Sequence, residues 1–175
     1  MMIEQIKRWF FYKEFNKKDG SPDTPGGVNL QQSIGILFDG TDEENRKIVY
    51  KFKDNLNPKG IKEIKSLTFL NNALPLDNVD YAAYNHKTIK WYGTPYGDKI
   101  DEFINTKFDI LIVLCQHMLP HFEYIIAHSH AQFTVGPLMD HAEKYFDLTV
   151  DTQQSNDIQN IIHKIVSAVQ LVAIK

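Results

Sequence analysis

A chain of 175 residues with 43% hydrophobic and 23% charged side chains has the composition of a folded globular protein, long enough to bury about 70% of its unfolded surface. A net charge of −3 gives no electrostatic footprint for nucleic acid. A single cysteine excludes an internal disulfide, and the longest apolar run, Ile110 to Cys115, is far too short to cross a bilayer; a cytoplasmic protein is the expectation.

The first segment, "MMIEQIKRWFFYKEFNKK" (1–18), reads as a short amphipathic helix. Ile3, Ile6 and Phe10 lie on one side, with Lys7, Lys13, Lys17 and Lys18 around the rest. It lacks the apolar core and cleavage site of a signal peptide. Basic residues beside Trp9, Phe10 and Phe11 suit a membrane-interface anchor, but the apolar face is short, and docking of the aromatics on the domain is the favoured reading. "DGSPDTPGGVNLQQ" (19–32) is dense in turn-forming residues and reads as a linker. One domain is expected over 33–175.

"SIGILF" (33–38) is an apolar run suited to a central strand covered on both faces. Thr41 and Glu44 form a capping-box pattern opening a helix, "TDEENRKIVYKFKDNL", which turns Ile48, Val49 and Phe52 to the core and stops before Pro58. "IKEIKSLTFLN" is a second, more polar strand. "NALPLDNVDYAAYNH" reads as an irregular connection and "TIKWYG" (88–93) as a third strand of undetermined direction. Asp98 is the expected cap of a helix in "KIDEFINT", and "FDILIVLC" (108–115) is the clearest central strand. Pro120 suits the first turn of a helix running to about His130. "AQFTVG" and "FDLTVD" are short strands, and Ile158, Ile161, Ile162, Ile165, Val169 and Val172 mark one buried face of a final helix. The alternation predicts an α/β fold: a three-layer, doubly wound, mostly parallel sheet of about five to six strands, Rossmann-like or flavodoxin-like. Ligands of such sheets bind beyond the carboxyl ends of the strands, at a topological switch point.

Chemistry is sought first in "LCQHMLPHFEYIIAHSH" (114–130), which holds the sole cysteine and four of the seven histidines. In a helix, His121 and His128 stand seven residues and about 10.5 Å apart, and Pro120 sets His117 in the preceding loop, so four histidines do not share one ion. Cys115, His117 and His121 all fall at the carboxyl edge of the central strand. They are weak candidates for zinc with a water, or for an imidazole-activated thiolate; a small buried apolar cysteine is the plainer reading. The helix start at "PHFE" is better suited to an anion, with His121 as a proton-dependent positive charge. Gly136 and Asp151, after the next two strands, are expected along the same rim, with Asp140 and His141 closing over it. Asp39 and Gly40 end the first strand. Asp42, Glu43 and Glu44 fill the next helical turn and repel a phosphate there, while Asp39 with Asp42 offers a weak divalent-ion site.

"ILFDGTDEE" resembles the start of a phosphatase of the haloacid-dehalogenase type in Asp39, Gly40 and Thr41, but Leu37 stands where the nucleophilic aspartate belongs, so that chemistry is excluded. "SIGILFDGTDEEN", "FDILIVLCQ", "YIIAHSHAQFTVG" and "FDLTVD" together resemble an uncharacterised bacterial family of short single-domain α/β proteins, with which no activity comes. The stretch from Phe108 to Gly136 also resembles the amino-terminal Rossmann-like domain of heptosyltransferase-like enzymes, matched at Asp109, Ile112, Ala131 and Gly136. Those enzymes bind the nucleotide sugar mainly through a second domain, so the resemblance implies an α/β half-domain and not sugar transfer.

The function expected is therefore binding of a small anionic or nucleotide-like ligand at Asp39, Gly40, Cys115, His117, His121, Gly136 and Asp151, with no catalytic machinery recognisable and no cofactor identifiable. The alternatives are a protein-interaction module using the amino-terminal helix and the aromatics of "VDYAAYNHKTIKWYGTPYG", and a metal- or thiol-dependent enzyme at Cys115, His117 and His121.

Overall fold

In a computed structural model, residues 33–56, 61–152 and 157–173 are described; the expected amino-terminal helix and linker lie outside them. Among the described residues, six strands form one sheet in the order β3-β2-β1-β4-β5-β6, and every pairing is parallel. The strands are β1 (Ser33–Asp39), β2 (Glu63–Leu70), β3 (Ala83–Asn85), β4 (Ile110–Leu114), β5 (Thr134–Pro137) and β6 (Leu148–Val150). Four α-helices accompany them: α1 (Glu43–Leu56), α2 (Asp98–Asn105), α3 (Pro120–His128) and α4 (Ile158–Ala173). Outward from β1 on each side, this order is that of a dinucleotide-binding Rossmann sheet rather than a flavodoxin.

Alternation along β1 divides the core in two. Ile34, Ile36 and Phe38 face α1 and α4, packing with Val49, Ile161 and Ile165. Leu37 faces the other way, with Val113, Ile100 and Phe103 of α2, and Phe122 and Ile125 of α3. The two helices on each face leave β1 and β4 without a solvent-facing side, which is why both read as continuous apolar runs.

Several local expectations are corrected. The third strand is not "TIKWYG" but Ala83–Asn85, inside the stretch expected to be irregular; its Tyr84 pairs with Phe69 of β2. Asn85 is fully buried, and its side chain donates to Asn72 Oδ1 and the Leu74 carbonyl while accepting from the Lys87 N–H. A 3-10 turn, His86–Thr88, follows, and Ile89 makes only an isolated antiparallel bridge to Pro95. The β-favouring side chains of "TIKWYG" thus stand in a turn, since Gly93 and Gly97 around them take positive φ. Asp42, not Thr41, caps α1, accepting from the Asn45 N–H at 2.8 Å. Gly97, not Asp98, occupies the cap position of α2. Pro120 opens α3 at its first turn as expected.

Gly136 and Asp151 do not meet the rim of β1 and β4. Gly136 is buried against the Phe146 ring, which occupies the space a Cβ would need, and Asp151 is exposed beyond β6, its carbonyl accepting from Lys164. Asp140 and His141 are likewise exposed, leading into a second 3-10 turn. Gly136 is therefore a packing residue: Gly136→Ala should destabilise the fold by about 1–3 kcal/mol. Urea denaturation should find much of that penalty relieved in a Phe146→Leu background.

Candidate functional site at the carboxyl edge of the sheet

Parallel register places four side chains in one row across the carboxyl edge. Tyr84 pairs with Phe69, and Phe69 with Asp39. Phe38 pairs with Leu114, so Cys115 continues the row one residue further on. Tyr84, Phe69, Asp39 and Cys115 therefore share the face on which α2 and α3 lie. Leu119 and Pro120 start α3 over this row and bring His121 down onto it. The His121 ring packs on Phe69 at a 42° tilt, 4.3 Å between centroids, and its Nδ1 is 2.8 Å from the Tyr84 hydroxyl.

The row floors an open cleft of about 500 Å³. Asp39, Thr41, Asp42 and Asn45 form one wall, Leu114 to His117 and Leu119 another, and Ile158 and Ile161 of α4 an apolar side; Asn71 and His86 come from beyond β2 and β3. The cleft stands between β1 and β4, the strands whose following helices depart to opposite faces. Of the residues expected to bind, Asp39, Cys115, His117 and His121 are brought together here. Gly40 backs the site without lining it, its N–H bonded to the Phe69 carbonyl and its α-carbon against Thr68. Gly136 and Asp151 belong elsewhere.

Asn71, Tyr84 and His86 escaped the sequence reading, as did Asn45, Phe69 and Gln116 of the lining. The Asp39 Oδ1 accepts from both the N–H and the hydroxyl of Thr41, at 3.0 and 2.6 Å. Thr41 Oγ1 accepts in turn from the Asn71 N–H at 2.8 Å, and Asn71 Oδ1 lies 2.6 Å from His86 Nε2. This chain ties the ends of β1, β2 and β3 together. Asn71 immediately follows a strand and was legible as a rim residue on that ground; His86 and Tyr84 were not, because β3 went unrecognised.

Burial works against two of the roles expected of these side chains. Cys115 is 8% exposed. Burial, reinforced by the charge of Asp39, pushes its thiol up to about 12, so at neutral pH it holds no thiolate for nucleophilic attack. Cys115, His117 and His121 also form no group of metal-ligand geometry among the described residues. His121 is 6% exposed. Burial, aided by His86 and opposed by Asp39, pushes it down to about 4. It is a neutral imidazole at physiological pH, not the positive charge expected for an anion. Among the described residues no lysine or arginine lines the cleft, whereas two aspartates do.

The depressed histidine has a consequence for stability. In the unfolded chain His121 takes up a proton near pH 6.5, in the folded protein only near 4, so the unfolded state binds more protons in between and stability falls as pH drops through that window. The stability advantage of wild type over His121→Gln, which keeps an acceptor for Tyr84, should shrink by on the order of 2–3 kcal/mol between pH 6.5 and 4. Chemical denaturation across that range is the check; a constant difference contradicts a buried neutral histidine.

Among the described residues, no helix is long and apolar enough to cross a membrane. Comparison with curated proteins and with solved structures returned no match, heptosyltransferase-like enzymes included. A family profile does match, over residues 4–168, which takes in the amino-terminal segment together with the whole sheet. The chain belongs to that family, DUF6913, a family of unknown function.

Proposed function

We propose that this chain is a small-molecule-binding α/β domain whose cleft between β1 and β4 takes a compact, uncharged, hydroxyl-bearing molecule of sugar or nucleoside type. The observation that carries the reading is the lining: two carboxylates, the amides of Asn45, Asn71 and Gln116, and the Phe69 ring, with no lysine or arginine among the described residues. Anions, the class first expected, are disfavoured by that lining, and the N-terminus of α1 is already occupied by Asp42, Glu43 and Glu44. A nucleotide's phosphates find no glycine cradle after β1, where Gly40 is packed against Thr68. The switch-point position of the cleft supports a binding role on general grounds. A cytoplasmic setting fits a chain whose one cysteine is free and buried.

A second reading, a protein-interaction module, is supported by the loop after β3. Trp91 is 95% exposed there, beside exposed Tyr92 and Tyr96, and aromatics of this kind serve as interface anchors. Gly93 holds that loop against Pro120, next to the cleft. If the loop alone is functional, Trp91→Ala abolishes partner capture and leaves small-molecule binding untouched.

Thermal shift with paired probes separates the ligand classes. Neutral nucleosides and free sugars should raise the melting temperature, by the equivalent of about 2.7 kcal/mol at 100 times the dissociation constant, and their phosphate esters should do less. Asp39→Ala should remove most of the gain. Stabilisation by the phosphate esters alone refutes the proposal.

A further inference from the structure

The binding reading can be taken to the level of atoms, on which the following rests. Tyr84 is 1% exposed, and its hydroxyl has one partner in reach, His121 Nδ1 at 2.8 Å. If the phenol donates, both atoms are satisfied. If instead Nδ1 carried the hydrogen, the phenolic hydrogen would be buried without an acceptor, at a cost of about 1–3 kcal/mol. The imidazole is thereby held with its hydrogen on Nε2. The tilted contact with Phe69 at 4.3 Å and the edge contact with Phe122 at 5.1 Å fix the plane of the ring.

Nε2 has no hydrogen-bond partner among the described residues, and His121 lines the cleft. Among the described residues the only sealed side-chain polar atom without a partner is Ser33 Oγ, so Nε2 is open to the cleft rather than shut in. In the same row, Asp39 spends Oδ1 on Thr41 and keeps Oδ2 for something else. A nine-tenths-buried imidazole and a carboxylate thus line one hollow, and neither Nε2 nor Oδ2 has a hydrogen-bond partner among the described residues.

We propose that His121 Nε2–H and Asp39 Oδ2 form a donor–acceptor pair that reads a vicinal oxygen arrangement in the ligand. The imidazole donates to a carbonyl, ring or hydroxyl oxygen, and the carboxylate accepts from a neighbouring hydroxyl. Polyols and hydroxycarbonyl compounds, including the ribose of a nucleoside, carry that arrangement. Phosphate oxygens satisfy the donor and leave the carboxylate facing negative charge. Tyr84 is a positioning residue: it touches no ligand and acts by holding the tautomer. Burial of His121 keeps the ring neutral, so one fixed hydrogen, not two, is offered.

Nitrogen-15 NMR of the full chain with labelled histidine, near neutral pH, reads the tautomer directly. The expected result is Nε2–H in the wild type and exchanging tautomers in Tyr84→Phe. Adenosine and D-ribose, added separately at millimolar concentration, should shift the His121 Nε2–H resonance, and Tyr84→Phe should weaken their binding by about three- to tenfold. A wild-type His121 protonated on Nδ1, or exchanging, overturns the pair whatever the probes do. Thermal stabilisation by either probe with an unmoved Nε2–H overturns the pair and leaves the cleft reading standing. With neither probe bound, both readings fall.

Discussion

Helices α1 and α3 leave the ends of β1 and β4 toward opposite faces of the sheet, and the gap between their departures is the constraint on which the site depends. Parallel strands need such crossovers, and where neighbouring crossovers diverge nothing covers the strand ends. The hydrogen-bonded ladder stops at Asp39 and Leu114, and the side chains of the next row face the opening. Packing of the two cores below is dense and apolar; only at this edge do polar groups from β1, β2, β3 and α3 converge. Tyr84, Phe69, Asp39 and Cys115 have no sequence proximity, and register alone assembles them.

The chemistry of the row follows from its depth. Cys115 and His121 are both nearly sealed, so each is pushed towards its neutral form, the thiol up and the imidazole down. Asp39 stands between them with Thr41 bonded to one oxygen. A neutral imidazole, a protonated thiol and a carboxylate make a poor nucleophilic centre and a well-defined hydrogen-bonding surface. The trio suggestive of zinc or thiol catalysis in the sequence thus stands, in three dimensions, as two nearly sealed side chains and one exposed histidine beside the cleft. The lesson concerns histidine in particular: its density along a chain says little until burial fixes which form it takes.

Much of this was legible beforehand. Apolar runs at "SIGILF" and "FDILIVLC" identified β1 and β4, since strands covered on both faces need no alternation, and Pro120 marked the start of α3. The strand-end rule then led to Asp39, Cys115, His117 and His121. What escaped was cross-strand information. Ala83–Asn85 is three residues long and is held as a strand by pairing with β2, not by its own propensity; missing it hid Tyr84 and His86. Gly136 and Asp151 were assigned to the rim because they follow strands, but those strands lie outward of the switch point, β6 about 10 Å beyond β4 at the usual strand spacing. The expected charge of His121 failed for a different reason, since burial of a side chain at the second position of a helix depends on what the sheet places under it.

Cys115, as the sole cysteine, reports on the cleft most directly. Its rate of modification at alkaline pH, where part of this raised thiol ionises, by small methanethiosulfonates of equal size and opposite charge, each normalised to a free thiol, measures both access to the row and the potential along the way in. With Asp39 and Asp42 on the wall and no lysine or arginine lining the cleft among the described residues, the cationic reagent should react faster by about tenfold or more at low salt, and the preference should fade as salt is raised. Equal rates, or a faster anionic reagent, would contradict the acidic, open cleft on which the account is built.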